Sequence, residues 1–347
     1  PLADPTALGQ SEPMSADGRE VEHARRTVSR PRSAGRPPGR ADDVRAPATL
    51  PSVVRFSAER RAEIAAAVRS GTLVRVRQGD YVTPPPPAAS PAQRRRDAVV
   101  ARAVALAGRL TTDYWFSHST AAVLHGLWTW RLADEVHVTQ LCNPSVRRTD
   151  PGFRRHWTAL PERDRAELGG LPVTSLERTI VDCARSLSAT SGIVVADSGF
   201  RAGADVRRVE EVLEAAAGGR GVRRARRLLA EADARSESPG ESVVRWLVVD
   251  GGLPHPEPNH TATTWRGTYR LDLAWTTFRV AVEFDGAVKY SGGEYGDPRG
   301  RLLAEKARHD ALVEAGWLVL RVTWDDLSDP DLLLGRIRAA LARRAAR

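Results

Sequence analysis

The spacing of apolar and polar positions changes several times along the chain, and these changes predict a mixed α/β protein. Apolar residues recur at helical intervals over residues 57–70, 97–110, 117–127, 192–200, 206–217, 222–231, 238–251 and 302–315. They alternate as in β-strands, or form short apolar runs, over residues 72–77, 135–139, 153–158, 269–275, 278–286 and 317–324. Residues 171–180 predict one further helix, with Thr174 or Ser175 as its N-terminal cap.

The first helix and strand belong to a small basic unit. Residues 78–80 supply a glycine-containing turn that leads from the strand at 72–77 into a second short strand. A helix followed by a basic two-stranded ribbon is the outline of a winged helix-turn-helix, in which Arg75 and Arg77 share one face and reach DNA phosphates. A small hairpin with solvated arginines is the alternative interpretation.

Two histidines and two tryptophans in the middle of the chain are of residue types that are common in binding sites. His118 and His125 are seven residues apart, near one face of a predicted helix. Because no cysteine or carboxylate cluster accompanies them in the sequence, we assign them structural or surface roles. Trp128 and Trp130 are expected to pack against a neighbouring element rather than to stack on nucleic-acid bases.

The C-terminal third places three carboxylates on neighbouring predicted strands. Glu283 and Asp285 point to the same face of their strand as Ala281, since side chains alternate along a strand. If residues 276–277 form a two-residue turn, Asp272 lies opposite Ala281 and diagonal to Glu283, about 7–8 Å away. Two carboxylates could therefore converge on one cation. The alternative is a polar sheet face whose carboxylates are solvated.

This acidic set favours metal-dependent chemistry. Carboxylates that face one another repel unless a cation lies between them, and Mg²⁺ (or Mn²⁺) suits an all-oxygen donor set. Such an ion activates water and stabilises the leaving oxygen in phosphodiester cleavage. Glu241 follows Ser238 at capping-box spacing, so it is either a helix cap or a further metal ligand. Lys289 and Lys306, the two lysines of the chain, could offset negative charge in the transition state.

Composition indicates an anionic binding partner and argues against zinc-finger, disulfide-bonded and membrane-spanning proteins. The 52 basic residues exceed the 43 acidic ones, giving a formal net charge of +9, which suits binding to DNA. Residues 1–50, rich in Pro, Gly, Ser and Arg, predict a disordered tail. Cys142 and Cys183 are far apart, which argues against a zinc finger or a disulfide framework and fits a reducing cytoplasm. No segment is apolar enough to predict a membrane span.

Two motifs in residues 52–235 resemble a known family. The segments SHSTAAVLHGL and GLPVTSLERTIVDCAR, together with the ribbon, look like actinobacterial proteins with an AbiEi-type antitoxin N-terminal region. The resemblance implies a winged helix that binds promoter DNA and a cognate toxin protein as a partner.

Residues 238–327 resemble a bacterial domain family of unknown function related to very-short-patch-repair (Vsr) endonucleases. The matching segments are GESVVRWL, YRLDLAW, RVAVEFDG and EKARHDALVEAGWLVLRVTWDDL. The resemblance implies a PD-(D/E)XK fold, with Asp272 as the first motif aspartate and Glu283 as the central acidic residue. Asp285 stands where that motif has lysine, and Lys289 and Lys306 are its candidate replacements.

Together these patterns predict a multidomain α/β protein with three folded parts after the tail. Residues 51–88 form a degenerate winged-helix-like segment, residues 89–235 a mostly helical α+β domain, and residues 236–347 a restriction-endonuclease-like mixed sheet flanked by helices. Two functions stay open. The first is a Mg²⁺-dependent DNA endonuclease with an antitoxin-like DNA-binding region, and the second is a DNA-binding antitoxin-type regulator whose nuclease fold is inactive.

Overall fold

The computed structural model describes residues 48–142, 152–286 and 298–346, and these residues form α-helices around three β-sheets. The mixed α/β composition predicted from the sequence is therefore confirmed. All of the described residues belong to one compact unit. Within the described ranges, no helix has both the length and the apolar character required to cross a membrane.

The first sheet is the predicted basic ribbon with one additional strand. Its elements are β1 (Val54–Arg55), α1 (Arg61–Arg69), β2 (Val74–Arg77) and β3 (Asp80–Val82). The strands pair antiparallel in the order β1-β3-β2. The helix begins later than predicted because Ser57 does not cap it directly; its hydroxyl accepts a hydrogen bond from the Arg60 amide at 3.3 Å in the preceding turn. Gly79 takes φ +79° in the tight turn, a conformation that suits glycine.

The second sheet has five strands. Its elements are α2 (Pro91–Ala107), β4 (Trp115–Phe116), α3 (His118–Leu124), β5 (Val136–Gln140), β6 (Phe153–Trp157), β7 (Arg165–Leu168) and β8 (Leu171–Thr174). The order is β6-β5-β4-β8-β7, with β5–β6 and β4–β8 parallel. Segment 171–180 opens a helix after Ser175, one of the two predicted caps, but the residues before the cap were not predicted as a strand. Leu171, Val173 and Thr174 are buried in β8, which lies between β4 and β7.

Four helices follow this sheet, at the places that the apolar spacing predicted. They are α4 (Leu176–Ser186), α5 (Ala189–Arg201), α6 (Val206–Ala215) and α7 (Val222–Ala230). Ser175 is the cap of α4, since its hydroxyl accepts a hydrogen bond from the Arg178 amide at 3.2 Å.

The third sheet carries the acidic residues. Its elements are α8 (Pro239–Asp250), β9 (Glu257–Thr264), β10 (Gly267–Trp275), β11 (Val280–Asp285), α9 (Pro298–Glu314), β12 (Leu318–Thr323) and α10 (Pro330–Ala345). The order is β12-β11-β10-β9, with β11 and β12 parallel and the other pairs antiparallel. Val280 and Val282 face the core that includes α8 and α10, whereas Ala281 faces Leu312 and Trp317 on the opposite side.

The register between β10 and β11 differs from the prediction by two residues. Leu273 pairs with Val282 and Ala274 with Ala281. The connection is longer than a two-residue turn, because residues Thr276–Phe278 form a 3-10 turn and Arg279 adopts φ 49°. Continuing this register places Asp272 opposite Glu283 rather than diagonal to it. A shift of two leaves side chains on the same face, so the predicted facing of the carboxylates survives the error.

One hydrophobic core joins the middle helices to the third sheet. Ile180 and Leu228 from the middle helices belong to the same buried cluster as Trp246 of α8 and Ile337 of α10. Trp128 and Trp130 pack at the edge of this cluster, as predicted, and the Trp130 ring stacks on Trp324 with ring centroids 5.2 Å apart.

Candidate functional site

The N-terminus of α8 brings Glu241 against the third sheet. Ser238 caps the helix by accepting a hydrogen bond from the Glu241 amide at 3.2 Å, and the Glu241 carboxylate accepts one from the Glu237 amide at 2.8 Å. A Cβ atom on Gly240 would lie 2.1 Å from the Phe284 ring, so glycine is required for this close approach of α8 to β11. Glu241 therefore completes the cap of α8, as its spacing predicted, and it also lies close enough to Asp272 for the charge of Asp272 to act on it.

Asp272 and Glu283 are held by neighbouring strands. The Phe284 amide donates a hydrogen bond to Asp272 Oδ2 at 2.8 Å, which fixes the carboxylate between β10 and β11. Glu283 is half-buried, and its Oε1 lies 2.6 Å from Nη2 of Arg308 on α9. Glu241 on α8 and Glu283 on β11 both lie close enough to Asp272 on β10 for its charge to act on them. In the described part of the chain, the oxygens of these three carboxylates do not all lie within 4.8 Å of one another.

The pKa values of Glu241 and Glu283 are both raised, first by burial and then in part by the charge of Asp272. Burial, followed by the charge of Asp272, raises the pKa of Glu241 to about 7. Burial also raises the pKa of Glu283, where the charge of Arg308 works in the opposite direction and the charge of Asp272 adds to the increase. The charge of Asp272 thus acts against the ionisation of both glutamates, and a bound cation would act in the opposite direction.

Arg308 is the basic residue of this site that the sequence interpretation missed. Its guanidinium contacts Glu283, and its Nε lies 3.3 Å from Glu305 on the same helix. Lys306, two residues earlier on α9, is exposed. Residues two apart on a helix point about 200° apart, so only one of them can face the sheet. A scan of the helix face, rather than of lysine alone, would have found Arg308.

The remaining predicted site residues lie at other positions. Asp285 is half-buried at the C-terminal end of β11, and Lys289 lies outside the described residues. Arg75 is exposed on β2, and its Nε donates a hydrogen bond to the Arg77 carbonyl at 3.3 Å. The pairing with β3 shifts between Arg75 and Arg77, which breaks the strict alternation that the shared face assumed.

Comparison with known proteins gives relatives without an established activity. No known family profile matches the sequence. Two uncharacterized proteins of Mycobacterium tuberculosis, MT2308 of strain CDC 1551 / Oshkosh and Rv2248 of strain ATCC 25618 / H37Rv, are each 28% identical to it over 290 residues. The alignments cover 83% of this chain and 97% of each relative.

Among solved structures, the RV2827C protein of Mycobacterium tuberculosis matches with 19% identity and a TM-score of 0.30. That match covers 52% of this chain and 68% of the other. A score at this level does not define a shared fold, so the functional argument rests on the site itself.

Proposed function

We propose that the chain is a Mg²⁺- or Mn²⁺-dependent DNA endonuclease whose ion is held by Glu241, Asp272 and Glu283. The observation that carries the proposal is that the charge of Asp272 acts on both Glu241 and Glu283, which come from two other elements. The proposal requires the three side chains to rotate toward one ion. The donor set is entirely oxygen, which suits a hard divalent cation. The resemblance of residues 238–327 to Vsr-related domains supports the same assignment, and the net charge of +9 suits a polyanionic substrate.

Each residue of the site has a definite part in this proposal. A bound divalent ion would supply an activated water and a polarised phosphoryl oxygen. Asp272 is oriented by the Phe284 amide, and Glu283 is oriented by Arg308. The Arg308 guanidinium also places positive charge beside the carboxylates, where it can stabilise negative charge that develops on a bound phosphate. It stands in for the lysine that the PD-(D/E)XK motif has at the position of Asp285.

The experiment that tests the proposal is cleavage of supercoiled plasmid by the full chain in Mg²⁺, in Mn²⁺ and in EDTA. We expect nicking in either metal, none in EDTA, and none with Asp272→Ala or Glu283→Ala. Cleavage that persists equally in both variants would assign the activity to another protein or another site. No cleavage by the wild-type chain with either metal would reject the enzyme and leave the second function below.

The pKa of Glu241 predicts how metal binding depends on pH. The ion requires the deprotonated carboxylate, so the affinity for Mn²⁺ should fall about tenfold between pH 8 and pH 6 as Glu241 takes up a proton. The folded pKa of about 7 lies above the ordinary value of 4.5. The metal-free fold therefore loses stability as the pH rises from about 4.5 to about 7. Calorimetric titration with Mn²⁺ at several pH values measures the effect. Glu241→Gln should bind more weakly and lose this pH dependence; an unchanged profile would contradict the assignment.

A second candidate function is DNA binding by the first sheet, as in an antitoxin-type regulator that also binds a cognate toxin. The observation that favours it is the insertion of α1 between β1 and β2 in a β1-β3-β2 sheet, which fits the outline of a winged helix. Exposed Arg75 on the ribbon is placed to contact a phosphate.

DNA binding of this kind predicts a particular response to salt. Each phosphate contact contributes about −0.9 to the slope of log K against log [salt]. Neutralising Arg75 and Arg77 to alanine should therefore make the slope less steep by about 1 to 2. Fluorescence anisotropy with a labelled promoter fragment measures this slope, and Arg163→Ala, at an exposed arginine elsewhere, is the control. Equal slopes for all three proteins would exclude the ribbon as the contact.

A further inference from the structure

Three histidines that are distant in sequence meet on the second sheet. His118 is the first residue of α3, His137 lies on β5 and His156 lies on β6. The parallel register pairs His137 with Arg154 and Thr139 with His156, so both histidines project from the same face of the sheet. The His118 ring stacks on the His156 ring with centroids 3.7 Å apart.

The ring nitrogens lie near the spacing that a metal ion requires. His137 Nδ1 and His156 Nε2 are 3.0 Å apart, and one nitrogen from each of the three rings lies within 4.8 Å of the others. In the described part of the chain, this is the one set of three potential ligands with that property. Tetrahedral zinc with Zn–N bonds of about 2.0–2.1 Å separates its nitrogens by about 3.3 Å. The three rings lie within 31° of parallel, so binding of one ion requires them to rotate until their in-plane lone pairs point to a common centre.

The surroundings keep all three rings neutral, which is the form that binds metal. Burial, followed by the charges of nearby basic groups, lowers the pKa of His137 and of His156 to about 4. Burial and the two neighbouring imidazoles lower the pKa of His118 well below its ordinary value.

Neighbouring groups orient two of the rings. Glu135 Oε2 lies 3.7 Å from His137 Nε2, on the side opposite the nitrogen that faces His156. His118 Nδ1 lies 2.9 Å from the Ser117 hydroxyl, an arrangement that leaves Nε2 available as a ligand. The hydrogen bond to Ser117 orients the His118 ring, as hydrogen-bonding partners of metal-binding histidines do. Glu135 lies within ion-pair distance of His137 and would hydrogen-bond to it after a small side-chain movement. Arg154 neutralises Glu135 at 2.9 Å, so the surrounding charge is balanced.

Two more features distinguish this cluster from a packed stack of rings. His118 adopts φ 53°, a left-handed conformation that is uncommon for a residue with a side chain and that clusters at functional sites. A cavity of about 220 Å³ adjoins the cluster and is lined in part by His137, His156, Glu135 and Arg154. Water can therefore reach the histidines.

We propose that His118, His137 and His156 bind one divalent transition-metal ion of the zinc class, with a water molecule from the cavity as its fourth ligand. Three imidazoles and an open position are the donor set of a reactive zinc site rather than of a closed structural one. Zn²⁺ and Co²⁺ are the expected ions, because imidazole suits borderline metals better than it suits Mg²⁺. This site is separate from the carboxylates of the third sheet and does not depend on their function.

The test is titration of the metal-stripped full chain with Co²⁺, followed by competition with Zn²⁺. Excess Mg²⁺ is present throughout to occupy the carboxylates of the third sheet. We expect one equivalent of Co²⁺ with the visible absorption of a nitrogen-rich tetrahedral site, displaced by one equivalent of Zn²⁺. His156→Asn should weaken binding by more than about 100-fold, and Glu135→Gln, which removes only the orienting carboxylate, by about 10–100-fold. His255→Asn, at an exposed histidine outside the cluster, should bind as the wild type does.

Circular dichroism and thermal unfolding of each variant separate loss of the site from loss of the fold. If His156→Asn does not fold, the graded effect of Glu135→Gln and the Co²⁺ spectrum of the wild type decide the question. Wild-type protein that binds no Co²⁺ or Zn²⁺, or that binds them equally well after His156→Asn in a folded variant, would overturn the proposal. The three rings would then be a neutral structural stack.

Discussion

Asp272→Asn is expected to lower metal-dependent nicking of plasmid by at least about 100-fold, the scale set by removing one preorganised electrostatic group from an active site. Asparagine has nearly the same shape, and its carbonyl can still accept the hydrogen bond that the Phe284 amide donates at 2.8 Å. The substitution therefore removes the central charge of the carboxylate cluster without removing its structural contact. The initial rate of conversion from supercoiled to open circular plasmid measures the loss.

The same substitution has a second consequence that a purely structural role would not produce. The charge of Asp272 contributes to the raised pKa of Glu241, so its removal should lower that pKa from about 7 toward the ordinary range. The pH dependence of Mn²⁺ binding should shift to lower pH accordingly. Asp310→Asn, at an exposed aspartate of α9, is the matched control and should change neither the rate nor the pH profile. Normal nicking by folded Asp272→Asn would contradict the proposed site.

The sequence predicted the facing of the carboxylates better than it predicted their register. Alternation along a strand has a period of two, so a register error of two residues does not change which face a side chain occupies. Continued from the pair Leu273 and Val282, the observed register makes Asp272 an opposite rather than a diagonal neighbour of Glu283. What could not be predicted was the contact of Gly240 with Phe284 that brings Glu241 into the cluster. That contact depends on how α8 packs on β11, and local periodicity contains no information about it.

The histidine cluster was missed for a related reason. His118 was assigned a structural or surface role because the sequence near it contains no other ligand. Its neighbours His137 and His156 come from two strands whose parallel pairing is a property of the folded sheet. Parallel pairs join segments that are not adjacent hairpin partners, so local spacing does not predict them. The candidate signal was the alternation of His137 and Thr139 with Val136 and Val138 in one strand.

A buried ion pair joins α5 to α8 in the core shared by the middle helices and the third sheet, and its disruption should have a large effect on stability. Both oxygens of Asp197 on α5 lie 2.7 Å from Arg245 Nη2 on α8, and the Asp233 amide donates to Asp197 at 2.8 Å. Both side chains are almost completely buried. Asp197→Ala should lower the free energy of unfolding by about 3–5 kcal/mol, because it leaves the Arg245 charge buried without its partner. Urea unfolding followed by tryptophan fluorescence measures the change.

An exposed ion pair shows how much of the expected stability loss comes from burial rather than from ion pairing alone. Arg227 and Asp250 are also 2.7 Å apart, but their side chains are 63% and 46% exposed. Asp250→Ala should therefore change the free energy of unfolding by less than about 1 kcal/mol. Replacing both members of the buried pair, as Asp197→Leu with Arg245→Met, should restore much of the stability that Asp197→Ala removes, because no unpaired charge then remains in the core. Equal, small losses for Asp197→Ala and Asp250→Ala would mean that water reaches Arg245 and that α5 and α8 separate more easily than their packing indicates.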